Sequence, residues 1–301
     1  MIKHFHSQKN CFFDHHPDVN EKSIFYLTVS FVINMLLSII EFVGGILAGS
    51  IALIGDALHN TSDALSILVA IIAFKIGRKK ASTKYTYGYK RAEVIGGFVN
   101  LILLFLSGIY LLFDGILRLI APQQIDGRMI LWISLLALII DALTAQISHK
   151  DAKHNTNMKM VFIHNLADAF GSLGAILSGL LILYCNIYWA DGVIALFIAF
   201  YMIFQAAISF PKTIDILMNA APENIDILAI KNTLCQLKGV KGIHHIHLWR
   251  INEYDVSLEC HIEADDLQLT SVIRNVLYEK FNIKHCTIQL EDKNCCQHCH
   301  L

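Results

Sequence analysis

The residues best equipped for chemistry come as one pattern written twice: His59 is followed four residues on by Asp63, and His164 four residues on by Asp168. Both pairs lie inside long apolar stretches, where an ionisable side chain is costly and marks an ion or substrate pathway. On a helix, positions i and i+4 share a face, with Cβ atoms about 6 Å apart. Two such helices packed face to face present two imidazole nitrogens and two carboxylate oxygens to a single point. That is a tetrahedral ligand set for Zn²⁺, and Cd²⁺, Co²⁺, Ni²⁺ or Fe²⁺ accept the same donors. A lone His or Asp is equally well a satisfied intramembrane hydrogen-bond partner, but buried polarity alone does not call for the same spacing twice. Protonated imidazole and carboxylic acid cannot bind metal, so metal and protons compete for one site.

Asp56 stands one turn before His59, placed either to orient the imidazole or to cap the helix near the membrane interface. Asn60 and Asn165 follow the two histidines at matching positions and suit interhelical hydrogen bonds. Glu41, Asp114 and Asp141 are isolated acids within apolar stretches, read as structural or cavity-lining groups.

The elements that must position these residues read as membrane helices. Of 301 residues, 55% are hydrophobic and only 16% charged, too apolar for an ordinary soluble domain. A span needs about 20 mostly apolar residues, and six stretches qualify: 24–48, 51–76, 92–119, 128–148, 159–184 and 189–217. Lys and Arg crowd the N-terminus, the connector Lys75 to Arg91 and the segment Lys150 to Lys159, whereas the other side carries only Arg118 and Arg128. By the positive-inside rule both termini are cytoplasmic, in a cell (inner) membrane or an organelle membrane. Residues 1–21 hold charge, His and aromatics without an apolar core and cleavage site, which predicts no cleavable signal peptide.

Pro222 marks a shift to soluble composition. Beyond it the pattern predicts a helix over 223–237, strands over 242–250 and 254–263, a helix over 267–281 and a strand over 285–291. This αββαβ order suits a small ferredoxin-like α+β domain, too small for an ample core unless dimer contacts or metal support it. The expected fold is therefore an α-helical membrane protein with six transmembrane helices and a small cytoplasmic α+β domain. Its parts are a His/Cys-containing tail (1–22), the helical domain (23–218) and the cytoplasmic domain with a Cys/His-rich end (219–301).

Soft ligands concentrate at both ends. The eight cysteines lack a disulfide framework, and Cys296-Gln297-His298-Cys299 has C-x-x-C ligand spacing. Around it lie His244, His245, His247, His261, His285, Glu291, Cys295 and His300, which predict at least one regulatory Zn²⁺ site. For Cys235, Cys260 and Cys286, inside predicted elements, burial competes with ligation. His4, His6, Cys11, His15 and His16 either complete a cytoplasmic site or form a weakly chelating tail. His149 and His154 flank the connector after the fourth span and read as a solvated loop. Near-neutral charge argues neither for nor against a nucleic-acid partner, but no basic aromatic surface motif is present, and no such partner is expected.

The run Gly49-Ser50-Ile51-Ala52-Leu53-Ile54-Gly55-Asp56-Ala57-Leu58-His59 on to Asp63, with His164 to Asp168, resembles the cation diffusion facilitator family. Tyr87-Gly88-Tyr89-Lys90-Arg91-Ala92-Glu93 and Thr287-Ile288-Gln289-Leu290-Glu291 resemble further segments of it, so the likeness runs from about residue 24 to 291 in the family's order. The resemblance implies a six-helix, usually dimeric transporter that carries divalent metal out of the cytosol in exchange for protons. His at the first position of both pairs is similar to the zinc-transporting branch. By position, His244, His261, His285 and Glu291 resemble the family's cytoplasmic metal ligands. The stretch Tyr85 to Tyr89 has no His, so a connector metal site found in some relatives does not carry over. Arg91 aligns with a basic residue that makes a dimer charge contact in some relatives, yet no acid stands near Met218 to receive it, and Asp215 lies a turn earlier.

These readings combine into a proton-coupled Zn²⁺ antiporter that works by alternating access through His59, Asp63, His164 and Asp168, as a homodimer in a lipid bilayer. A broader Cd²⁺, Co²⁺, Fe²⁺ or Ni²⁺ exporter is the alternative, followed by a metal channel, a sensor or a membrane metalloenzyme. Catalytic zinc keeps a position open for water, while four protein ligands fill this one and no HExxH motif accompanies it.

Overall fold

The computed structural model describes residues 21–77, 81–152, 156–252, 255–264, 266 and 268–291; within these, side chains are described outside 21–27, 70, 73, 74, 77, 147–152 and 156–165. The first two-thirds of the chain forms six long helices: α1 (Glu21–Ala48), α2 (Ile51–Gly77), α3 (Ala92–Ile120), α4 (Gly127–Ala152), α5 (Thr156–Cys185) and α6 (Trp189–Leu217). Among the described residues, five of them (α1, α3, α4, α5 and α6) are long and apolar enough to cross a membrane. Six apolar spans were expected. The sixth, α2, has 27 residues and carries Asp56, His59, Asn60 and Asp63; its side chains at 70, 73, 74 and 77 lie outside the described residues.

The described residues divide into two compact units. In the helical unit (23–78 and 95–211), large side chains such as Phe113, Trp132, Phe197 and Phe204 face outward, as expected of helices whose solvent is hydrocarbon. Two interior clusters hold α2 in place. One joins Ile51 and Ala52 of α2 to Leu104 and Leu111 of α3 and to Ala195, Ala199 and Met202 of α6. The other joins Leu53 of α2 to Ala48 of α1, Ile130 of α4 and Ile182 of α5. The α4–α5 pair is close: a Cβ on Gly127 would lie 2.8 Å from the Gly179 carbonyl oxygen, which only glycine permits.

The link from α1 to α2 is short and well capped. Gly49 takes φ +75°, a left-handed conformation that glycine adopts without penalty and that turns the chain. Ser50 then caps α2, its Oγ accepting from the Leu53 amide at 3.1 Å. Asp191 in the first turn of α6 reaches across: its carboxylate accepts from the Ser50 hydroxyl and from the backbone amides of Ile51 and Ala52 at 2.8 and 3.4 Å. A buried anion at a helix N-terminus answers both the unsatisfied amides and the helix dipole.

The second unit contains α7 (Ile227–Cys235), β1 (Val240–Arg250), β2 (Val256–Ala264), α8 (Leu269–Phe281) and β3 (His285–Glu291), in the αββαβ order. Its sheet runs β1-β2-β3, with β1 antiparallel and β3 parallel to β2. Ile230, Leu234, Leu258, Ile262, Ile273 and Leu277 pack between helices and sheet with essentially no exposure. The first helix starts at Ile227, later than residue 223, because the Asp226 carboxylate accepts from the Leu228 amide at 2.8 Å and fixes the start there. The register of β1 against β2 slips between His244 and His247, where His245 takes φ +51°. This bulge cannot be read from an alternating pattern.

Asp191→Ala removes three acceptor bonds at the start of α2. It is expected to lower stability by about 1–3 kcal/mol, seen as a lower thermal midpoint of the detergent-solubilised protein, whereas Asp191→Asn retains part of the loss.

Candidate metal centres

In the helical unit, α2 places His59 and Asp63 on one face, and α5 brings Asp168 against them. The His59 Nε2 lies 3.4 Å from the Asp63 Oδ2 and 3.2 Å from the Asp168 Oδ1. The three donor atoms lie within 4.8 Å of one another, in surroundings that leave His59 only 3% exposed. His164 falls on α5, four residues before Asp168; its side chain and that of Asn165 lie outside the described residues. Tyr201 of α6 presents its ring edge-on to His59 at 5.3 Å. Nothing in the sequence distinguished this tyrosine from other aromatics of an apolar helix.

Polar bonds around the cluster hold its helices. The Asn60 side chain donates to Glu41 Oε2 of α1 at 2.8 Å, so Glu41 is not isolated. On the other flank, the Ser172 hydroxyl donates to Asp141 at 2.9 Å, tying α5 to α4. Asn100 of α3 accepts from Ser62 at 3.3 Å and donates to Ser66 at 2.7 Å. Asp56 is buried and turned toward Gly171 of α5, where an added Cβ would stand 3.6 Å from its Oδ1. Buried hydrogen-bonded groups in low dielectric hold their geometry firmly. Two carboxylates and a neutral imidazole converging this way can hold a divalent cation with N/O preference.

A second cluster sits on the sheet. His244 of β1 and His261 of β2 are paired directly across the strands. Glu291, at the end of β3, takes one with each oxygen: His244 Nε2 lies 3.1 Å from Oε2 and His261 Nδ1 2.7 Å from Oε1. All three donor atoms lie within 4.8 Å of one another, and the Gln289 amide donates to Glu291 at 2.9 Å. The bulge turns the ring of His245 toward the same place, 4.6 Å from that of His261 and 4.4 Å from that of His247. His285 is elsewhere. It begins β3, opposite Ser257, six residues and about 20 Å of strand from Glu291, with its ring against Tyr87 at 5.5 Å.

Cys296, Cys299, the neighbouring Cys295, His298 and His300, and the N-terminal His4, His6, Cys11, His15 and His16 lie outside the described residues, as do His154 and the side chain of His149. Cys260 is fully buried in the sheet core. Burial pushes its thiol up to about 12, and it also raises that of Cys286, against the lowering effect of Arg274. Cys260 is part of the buried core of this unit, and Cys286 is partly buried against it.

A family model for the cation efflux transmembrane domain matches residues 27–218, and one for the cation efflux protein cytoplasmic domain matches residues 222–293. The chain belongs to the cation efflux family. It is 35% identical over 286 residues to a cadmium, cobalt and zinc/H(+)-K(+) antiporter of Bacillus subtilis (strain 168), covering 92% of this chain and 91% of that protein. It is 29% identical over 301 residues to the zinc transporter ZitB of Escherichia coli (strain K12), covering 98% and 94%. A metal cation efflux system protein, CzcD, of Cupriavidus metallidurans is 29% identical over 285 residues, covering 93% and 89%. As a member of this family the protein is a multi-pass membrane transporter, and the metalloenzyme reading falls away.

Cys260 keeps its proton in the folded domain up to about pH 12, while an ordinary thiol loses it near 9.0. Its contribution to stability is therefore full below pH 9 and is lost as pH rises through 12. At pH 8, iodoacetamide is expected to modify the exposed Cys235 and to spare Cys260 until denaturant is added, as read by peptide mass spectrometry.

Proposed function

We propose that the protein is a proton-coupled antiporter that exports Zn²⁺ from the cytosol by alternating access, with His59, Asp63, His164 and Asp168 as the ligands of the transported ion. The observation that carries this reading is the convergence of His59, Asp63 and Asp168 from two helices on one buried point. His164, one turn before Asp168 on α5, supplies the fourth donor, and α2 is the sixth membrane span, its polar motif turned inward. In the inward-facing state the neutral imidazoles and ionised carboxylates take Zn²⁺ from the cytosol. After the helices rock, protons from the other side occupy the same atoms and release it. The antiporter and zinc transporter names of the relatives support both the cargo and the exchange.

In this reading residues 1–22 are a cytoplasmic tail, 23–218 carry the ion, and 219–301 form a ferredoxin-like cytoplasmic domain. There His244, His261 and Glu291 bind regulatory Zn²⁺, with Cys296 and Cys299 available as further ligands and His285 as a separate donor. Both termini are cytoplasmic and the protein is a homodimer, in keeping with the matched cytoplasmic domain. A broader metal range is the second reading, favoured by the cadmium and cobalt named for the Bacillus relative.

The test is Zn²⁺ uptake into proteoliposomes under an imposed pH gradient, with lumenal pH recorded, for wild type and Asp168→Ala. Gradient-dependent uptake with opposite proton movement is expected, and the variant should lose at least about 90% of the rate, since removing one charged ligand costs more than a tenfold change in affinity. Uptake indifferent to the gradient would make the protein a channel. Full uptake by Asp168→Ala would put the ion elsewhere.

A further inference from the structure

The connector before α3, the segment after α6 and the end of β1 enclose a cavity of about 430 Å³, the size of a small-molecule site. Its walls include Tyr85, Tyr87 and Trp249, and its polar groups are Lys90, Arg91 and Asn219. The two cations differ in what holds them. The Lys90 ammonium is neutralised by Asp255 at 2.7 Å. The half-buried Arg91 guanidinium instead donates to the uncharged side-chain oxygen of Asn219. Among the described residues no carboxylate pairs with it, Asp215 included. One positive charge with a planar, forked set of donors is thus left facing a cavity with aromatic walls.

A forked guanidinium matches the oxygens of a phosphate, which it can hold through two parallel hydrogen bonds. The position in the chain narrows the source. Arg91 immediately precedes α3 and Asn219 follows α6 by two residues, and both are membrane-crossing helices. Tyr and Trp rings beside a helix end are the groups that settle at the headgroup level of a bilayer, and basic groups there draw anionic lipid. From this geometry we propose that the cavity is a binding site for the phosphate of an anionic phospholipid headgroup, with Arg91 as its principal ligand and Tyr85, Tyr87 and Trp249 as its walls. The lining of the site shares no residue with either metal cluster, and the proposal does not depend on which ion the protein carries.

Trp249 is a reporter already in the wall. In the full-length protein in detergent, Trp132→Phe and Trp189→Phe leave it as the remaining tryptophan of three. Titration with short-chain phosphatidylglycerol should change its emission saturably, while phosphatidylcholine of the same chain length should not. Arg91→Gln should weaken binding at least about tenfold, the loss of one charge-assisted pair. Asn219→Asp should do the same without truncating any side chain, by giving Arg91 an internal carboxylate. Phosphatidylglycerol retained by the wild-type chain and lost from both single variants, read by native mass spectrometry, provides the same comparison with all tryptophans present. An equal response to phosphatidylcholine, or unchanged binding in both variants, would overturn the proposal. Displacement of the lipid by inorganic phosphate alone would overturn the lipid assignment and give the site to soluble phosphate.

Discussion

The polar groups around His59 answer to one constraint: charged side chains buried among apolar helices are costly unless they find partners, because no water is there to take them. The His59 imidazole meets Asp63 from its own helix and Asp168 from α5, and the second contact does not survive a rotation or slide of α2 by a fraction of a turn. The surroundings limit such movement. Asp191 and Ser50 fix the end of α2, and the bonds of Asn60 to Glu41 and of Asn100 to Ser62 and Ser66 brace it sideways toward α1 and α3. Ser172 with Asp141, and the glycine contact of Gly127 with Gly179, do the same for α5 against α4.

In α2 the polar groups Asp56, His59, Asn60 and Asp63 stand on an otherwise apolar helix, and bonds from the neighbouring helices hold them in place. The second unit solves a related problem with a sheet. Cross-strand pairing brings His244 and His261 side by side, the parallel register of β3 delivers Glu291 to them, and the buried apolar core, including the protonated Cys260, keeps the three strands aligned.

The cavity beside Arg91 shows the opposite case, a charge with no charged partner among the described residues. Where a buried ion pair would be closed to outside ligands, a guanidinium resting on an amide keeps donors and charge to offer.

Much of this was legible in the chain itself. The apolar runs and the αββαβ order are local properties, set by helix and strand periodicity, and they survive into the structure with shifts of a few residues at the ends; the spacing of His59 with Asp63 likewise puts both on one face of α2. The partners of Glu41 and Asp141, the capping of α2 by a residue 140 positions away, the contact of Tyr201 with His59, the bulge at His245 and the separation of His285 from Glu291 were not legible. Each depends on which helix faces which, or on strand register, and many sequences with the same periodicity satisfy different pairings. The sequence by itself thus determined which side chains can bind metal and on which elements they ride. Only the tertiary structure decided which of them meet, because meeting is a property of packing between elements far apart in the chain.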